Sequence, residues 1–149
     1  LLTSLFLWKE YKRKWIFPLW VTFASTIIIS FIFKVIVQRL RPYQLGIVNT
    51  DALFQSASHL VWDYSFPSFQ AMLAFSALPI ISKEFPRLKY VWIVFATLVA
   101  LSRVYFGVHF LSDVLAGVVI GYLIGLCILK FEKETKFFEK IYGKVKGTN

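Results

Sequence analysis

The chain has 149 residues, 58% hydrophobic and 19% aromatic, with 17% charged, a mean hydropathy of +0.65 and a formal net charge of +9. Water-soluble domains run to about 45–50% apolar and about 25% charged, and a small domain leaves much of its surface exposed, so lipid is the solvent that suits this composition. Disorder needs low hydrophobicity and a disulfide scaffold needs more than the single Cys127, so both are excluded. A nucleic-acid surface is not expected either, because the lysines and arginines lie in short runs beside apolar segments rather than along one polar face.

Residues 1–8 read as the end of an earlier membrane or interfacial helix, and Lys9, Lys12, Arg13 and Lys14 follow as a basic cytoplasmic loop, so that residues 1–14 form a remnant preceding the main domain. Residues 15–33 carry no charge and predict a transmembrane helix continuing to about Gln38, with Pro18 in its first turn. Residues 64–82 predict a second span, with Pro67 at its start and Pro79 as a kink within the membrane. Residues 90–101, extended by Arg103, Tyr105 and Phe106, predict a third, and residues 110–129, interrupted only by Asp113, a fourth. The fold class expected is an all-α polytopic membrane bundle over residues 15–130, with a basic tail over 131–149 that either lies on the cytoplasmic leaflet as an amphipathic helix or is simply solvated.

Crossing at each span puts the clusters at 9–14, 83–89 and 130–146 on one face, which the positive-inside rule makes cytoplasmic. The loop 41–66 and the turn 105–111 then lie on the opposite side, where Trp62, Tyr64, Tyr105 and Phe106 suit the interfacial belt. Gly117, Gly121 and Gly125 form a ridge of small residues on the last span, available to the other spans or to a second copy in a homo-oligomer.

Ionisable residues near hydrocarbon are costly and usually face a polar cavity or partner. Lys34 and Arg41 are seven residues apart, which on a continuous helix gives them one face, with Arg39 off it; His109 and Asp113 are four apart, again one face. Each cation alone is explained by snorkelling to headgroups, and the His–Asp pair by a helix-surface contact. Jointly, the topology sets Lys34, Arg41, Ser68, Arg103, His109 and Asp113 at one outer level. Cations that neutralise phosphate oxygens, a helix start that donates N–H groups to an anion and an imidazole able to attack phosphorus describe a phosphate site.

These residues resemble a known family. Lys34, six residues, then Arg41-Pro42 matches one motif, and Ser102-Arg103, five residues, His109, three residues, Asp113 matches another in full; between them Pro67-Ser68-Phe69-Gln70 stands where the family has Pro-Ser-Gly-His. The chain is similar to the type 2 phosphatidic acid phosphatase superfamily of membrane lipid phosphatases and polyprenyl-diphosphate phosphatases, over about residues 15–129. The resemblance implies a bundle of about six spans, of which this chain carries the last four. It implies His109 as the nucleophile forming a phosphohistidine, Asp113 orienting its ring, Lys34, Arg41 and Arg103 holding the phosphoryl oxygens, and Ser68 with the Phe69 N–H completing the cradle. It also implies no metal or other cofactor, a lipid phosphate or diphosphate as substrate, and a site facing outward from the plasma or inner membrane.

The departure is at Phe69 and Gln70. Phe69 can offer its N–H if the backbone there needs no positive φ. Gln70 can hydrogen-bond a phosphate but is no general acid, a loss that typically costs 10²–10⁴-fold. An alkoxide leaving group needs that proton; a phosphate monoester leaving from a diphosphate, with a second pKa near 6, does not. The expected substrate is therefore a polyprenyl diphosphate rather than a monoester, unless His59 or Asp63 in the outer loop supplies an acid. The competing functions are a catalytically impaired phospholipid-phosphate binder or scaffold of the same fold, and a bundle whose basic residues line an anion path.

Overall fold

A computed structural model describes residues 15–48, 63–138 and 140. The readings placed on residues 1–14, on His59 and Trp62 and on the end of the tail lie outside the described residues. Among the described residues five helices follow in order: α1 (Ile16–Val37), α2 (Phe69–Ser76), α3 (Leu78–Glu84), α4 (Pro86–Tyr105) and α5 (Leu111–Thr135). Three of them, α1, α4 and α5, are long and apolar enough to cross a membrane.

The first helix shows what solvent the bundle is built for. Its inward face carries Leu19, Thr22, Thr26, Ser30 and Lys34, all buried, while Trp20, Ile27, Ile28, Phe31, Ile32 and Ile36 point outward and are exposed. Small hydroxyls inside and large apolar groups outside invert the pattern of a soluble protein and suit helices that approach closely in lipid. The hydroxyls of Thr22 and Thr26 are satisfied within the helix, each donating at 2.8 Å to the carbonyl four residues back. The helix stops at Gln38, whose φ of 48° lets its N–H close on the Lys34 carbonyl at 3.1 Å.

The expected span over 64–82 is instead two short helices. Pro67, after a cis peptide bond from Phe66, lies outside α2, which opens at Phe69 with Ser68 as its N-cap. Pro79 has no N–H for the Phe75 carbonyl, and the helix breaks at Ala77 rather than bending, with Pro79 restarting it in the first turn of α3. The third and fourth spans are longer than expected. Pro86 opens α4 four residues before Tyr90, and α5 continues past Leu129 to Thr135, where Lys136 at φ 49° ends it.

The glycine ridge settles how α5 meets α2. A Cβ on Gly117 would strike the Ser68 carbonyl, one on Gly121 the Met72 backbone, and one on Gly125 the Ser76 carbonyl and the Pro79 ring. All three glycines are buried in this contact, so the ridge is occupied within the chain and is not a free face for a second copy. Two apolar clusters close the bundle. Trp15, Leu19, Ala77, Ile80 and Ile81 pack with Phe85, Leu88, Trp92 and Leu129 at the end bearing Lys83, Arg87, Lys89 and Lys130, and Lys83 sits 4.5 Å above the Trp15 ring. Ala71, Ala100 and Val114 pack with Phe75, Val104 and Val118 toward the other end, where the candidate site lies.

Candidate active site

At that end the C-termini of α1 and α4 meet the N-termini of α2 and α5. The turn after α4 carries Gly107 at φ 63°, a left-handed conformation that favours glycine. It folds the chain back so that the N–H groups of Val108 and His109 reach the Arg103 carbonyl at 3.2 and 3.3 Å. His109 is thereby delivered to the interior, 2% exposed. Its Nδ1 lies 2.7 Å from the Ser65 carbonyl oxygen. A carbonyl only accepts, so Nδ1 carries the hydrogen and Nε2 holds the lone pair. Burial pushes the imidazole below its ordinary pKa of 6.5; the Asp113 carboxylate opposes this, the charges of Arg41 and Lys34 reinforce it, and the Ser65 carbonyl opposes it.

Asp113, in the first turn of α5, is fully buried. Its Oδ1 accepts from Arg39 Nη1 at 2.7 Å, and its Oδ2 accepts from the Phe110 N–H at 2.9 Å and from the Ser65 hydroxyl. His109 Nδ1 is 3.9 Å from Oδ2, outside hydrogen-bond range. The ring's hydrogen bond therefore goes to the Ser65 carbonyl and not to Asp113, whose action on the ring is electrostatic.

The cations reach the site by different routes. Lys34, 2% exposed on the last turn of α1, donates its Nζ to the Tyr64 carbonyl. Arg41 does not share its helix face, because α1 ends at Val37; the loop carries Arg41 inward, where Nε donates to the Asp63 carbonyl at 2.7 Å and Nη1 to the Val108 carbonyl at 3.2 Å. Burial lowers the Arg41 pKa; charges of Tyr43, Asp63 and Asp113 oppose this and Arg103 adds to it. Arg103, half-buried, donates Nε to Ser102 Oγ at 3.2 Å. Carbonyl oxygens thus hold both Lys34 and Arg41, which leaves their positive charge facing the cluster.

Ser68 is fully buried; its N–H donates to the Asp113 carbonyl at 3.0 Å, while its Oγ has no hydrogen-bond partner among the described residues. It stands at the open start of α2, where the first N–H groups have no partner within the helix. Phe69 is absent from the described positive-φ residues, Gln38, Gly46, Gly107 and Lys136, so a phenylalanine in place of glycine meets no backbone strain. Gln70 is exposed, and among the described residues no hydrogen bond joins it to the cluster. Asp63 is close enough for its charge to act on Arg41 and Tyr43. Among the described residues no three His, Cys, Asp or Glu side chains gather as metal ligands.

Two residues at the centre were not singled out from the sequence, Ser65 and Arg39. Besides gripping Asp113, Arg39 donates to Ser112 Oγ at 2.7 Å, lies 4.0 Å over the Phe110 ring, and accepts the Ser65 N–H on its own carbonyl at 2.7 Å. A signal existed for it: a buried carboxylate needs a cation, and a neutral histidine does not supply one.

Comparison with known proteins agrees with this picture. Residues 15–136 match the sequence profile of the PAP2 superfamily. The chain is 31% identical over 142 residues to phosphatidylglycerophosphatase B of Bacillus subtilis (strain 168), covering 87% of this chain and 64% of that protein. It is 32% identical over 133 residues to an undecaprenyl-diphosphatase of Sulfolobus acidocaldarius, covering 87% and 61%. Among solved structures, a transmembrane PAP2-type phosphatidylglycerolphosphate phosphatase from Bacillus subtilis superposes with a TM-score of 0.63 at 24% identity, over 89% of this chain and 65% of that one. The chain thus spans a little under two thirds of the length of these relatives.

Proposed function

This chain belongs to the PAP2 superfamily, and on that premise we propose that it is an integral-membrane phosphatase that hydrolyses lipid phosphates or polyprenyl diphosphates at an extracytoplasmic site. The observation that carries the reading is the His109 ring, whose Nδ1–H is engaged by the Ser65 carbonyl at 2.7 Å, leaving Nε2 as the nucleophile.

In the proposed reaction Nε2 attacks phosphorus, the N–P bond forms and the bond to the leaving oxygen breaks. Positive charge develops on the ring and is stabilised by buried Asp113 at 3.9 Å and by the Nδ1–H bond to Ser65. Lys34, Arg41 and Arg103 hold the phosphoryl oxygens, with Ser68 Oγ and the Phe69 N–H closing the cradle. Water then attacks phosphorus, the N–P bond breaks with its electron pair returning to Nε2, and both water protons leave on the released phosphate. No step needs a metal, and a cradle lined by cations repels one.

Gln70 sets the finer substrate class. It supplies no proton, so a polyprenyl phosphate leaving as an anion is favoured over an alkoxide leaving from a monoester. The outward-facing assignment is supported by Lys83, Arg87, Lys89 and Lys130, which stand at the opposite end of the bundle from the site. The exposure of Gln70 and its lack of a bond to the cluster favour one second reading, a phospholipid-phosphate binder of impaired turnover.

The test is phosphate release from polyprenyl diphosphate, phosphatidylglycerophosphate and phosphatidic acid in detergent micelles with EDTA present, with His109→Ala as control, and trapping of a labelled phosphohistidine. Diphosphate turnover lost in His109→Ala supports the phosphatase. Faster hydrolysis of phosphatidic acid than of the diphosphate overturns the substrate class, and tight phosphate binding without turnover selects the binder.

A further inference from the structure

We infer that Arg39 and Ser65 are positioning residues of the His109 nucleophile, acting together as a clamp that holds Asp113 and the imidazole in fixed relation. The inference rests on the phosphatase reading and adds two residues whose identity none of the motifs specifies, Arg39 standing at an open position of the first and Ser65 ahead of the second.

The geometry separates the ring from its acid. Asp113 Oδ2 is 3.9 Å from Nδ1, and the link between them is Ser65, which gives its hydroxyl to the carboxylate and its carbonyl to Nδ1–H. A single residue therefore sets the tautomer and fixes the distance. Ser65 is in turn fixed by Arg39, whose carbonyl accepts its N–H at 2.7 Å. The Arg39 guanidinium closes the circuit on the other carboxylate oxygen at 2.7 Å, and lies 4.0 Å over Phe110, the residue whose own N–H also binds Asp113. Arg39 thus holds the clamp at two points, once through its backbone and once through its side chain.

The electrostatics give the clamp a second role. His109 is faced by Lys34 from the end of α1, Arg41 from the following loop, Ser65 ahead of α2, the Arg103 carbonyl at the end of α4, and Asp113 on α5. Of these only Asp113 is anionic, and Arg39 is the cation in direct contact with it. Arg39 tempers the carboxylate, so the ring stays neutral and nucleophilic in the resting site yet still has an anion nearby when charge develops on it. Removing Arg39 leaves Asp113 more negative toward the ring, which then protonates more readily.

The full chain in detergent micelles tests this with Arg39→Met, Arg39→Lys and Ser65→Ala. A hydrogen bond to a charged group is worth about 10–100-fold, and that fall is expected in kcat for Arg39→Met, with KM little changed because its guanidinium is already taken up by Asp113, Ser112 and the Phe110 ring. The acid limb of kcat/KM is expected to move to higher pH, by up to about one unit. Ser65→Ala shifts the limb in the same direction, and Arg39→Lys, keeping the charge, restores the limb and most of the rate. A limb that stays fixed in all three variants while thermal stability falls assigns Arg39 and Ser65 a structural role only and overturns the inference. A second measurement does not depend on turnover. The sequence has two histidines, so ¹⁵N-histidine labelling in a His59→Gln background reports the tautomer and titration of His109 alone. The Nδ1–H tautomer with a midpoint that rises in Arg39→Met supports the clamp; the Nε2–H tautomer in the unsubstituted site, or an unmoved midpoint, overturns it. If no substrate is hydrolysed, the phosphatase reading fails while this titration still decides the clamp.

Discussion

Gly117→Ala is the sharpest probe of how helix packing serves the site. A Cβ at Gly117 would stand 2.6 Å from the Ser68 carbonyl oxygen and 3.2 Å from the Ala71 Cβ, whereas ordinary contact begins near 3.4 Å. The start of α2 must therefore retreat from α5 by about 0.8 Å, since packed backbone has no rotamer with which to yield. Overpacking of this kind costs about 1–3 kcal/mol, and a displacement near 1 Å in a reacting constellation can cost about 10²-fold in rate. Gly125→Ala is the matched reference: its Cβ would strike the Ser76 carbonyl and the Pro79 ring, at the far end of α2 from Ser68. Both variants are expected to lower the thermal midpoint in micelles. Normalised to folded protein, phosphate release from a polyprenyl diphosphate is expected to fall about 10²-fold in Gly117→Ala and to change little in Gly125→Ala. Equal activity losses in the two, or a native rate in Gly117→Ala, would refute the claim that the glycine ridge sets the position of the phosphate cradle.

Ser68→Ala removes a buried hydroxyl that has no partner among the described residues, so stability should hold or rise by up to about 1 kcal/mol, while inhibition by inorganic phosphate should weaken about tenfold; a destabilised protein with unchanged phosphate affinity contradicts the cradle. In the proposed reaction turnover requires neutral Nε2, and the pKa of His109 is held below 6.5 by burial. Activity should therefore persist as pH drops past 6.5 and fall only as pH passes through the lowered value, whereas an acid limb at or above 6.5 contradicts the burial of the ring. Gln70→His restores a general acid at the open start of α2 and should raise monoester hydrolysis by about 10²-fold or more, with a smaller gain on a diphosphate; equal gains on both would show that leaving-group protonation is not what separates them.

The sequence made the long helices legible because a membrane asks for a length of uncharged chain and little else, and α1, α4 and α5 answer that condition. It brought His109, Asp113 and Arg103 forward as candidates because chemistry at fixed spacing requires particular residue types, and the fold sets His109 and Asp113 side by side. It was silent where geometry depends on where a helix stops. Extending α1 through Arg41 sets Arg39 off the shared face; in the fold Gln38 turns left-handed at φ 48°, and the next residue reaches a carboxylate 74 positions away. Ser65 was hidden for a different reason. Half of its contribution is made by a backbone carbonyl, which every residue type possesses, so no side-chain pattern can mark it. Pro79 announced an interruption but not its outcome. The break at Ala77 sits in a segment where the carbonyls of Ser68, Met72 and Ser76 press onto Gly117, Gly121 and Gly125. The same close approach brings the Asp113 carbonyl within 3.0 Å of the Ser68 N–H. Helix α2 is thus held to α5 along its whole length, and a ridge that reads as simple membrane packing also carries Ser68, the N-cap of the proposed cradle, to Asp113, the carboxylate beside His109.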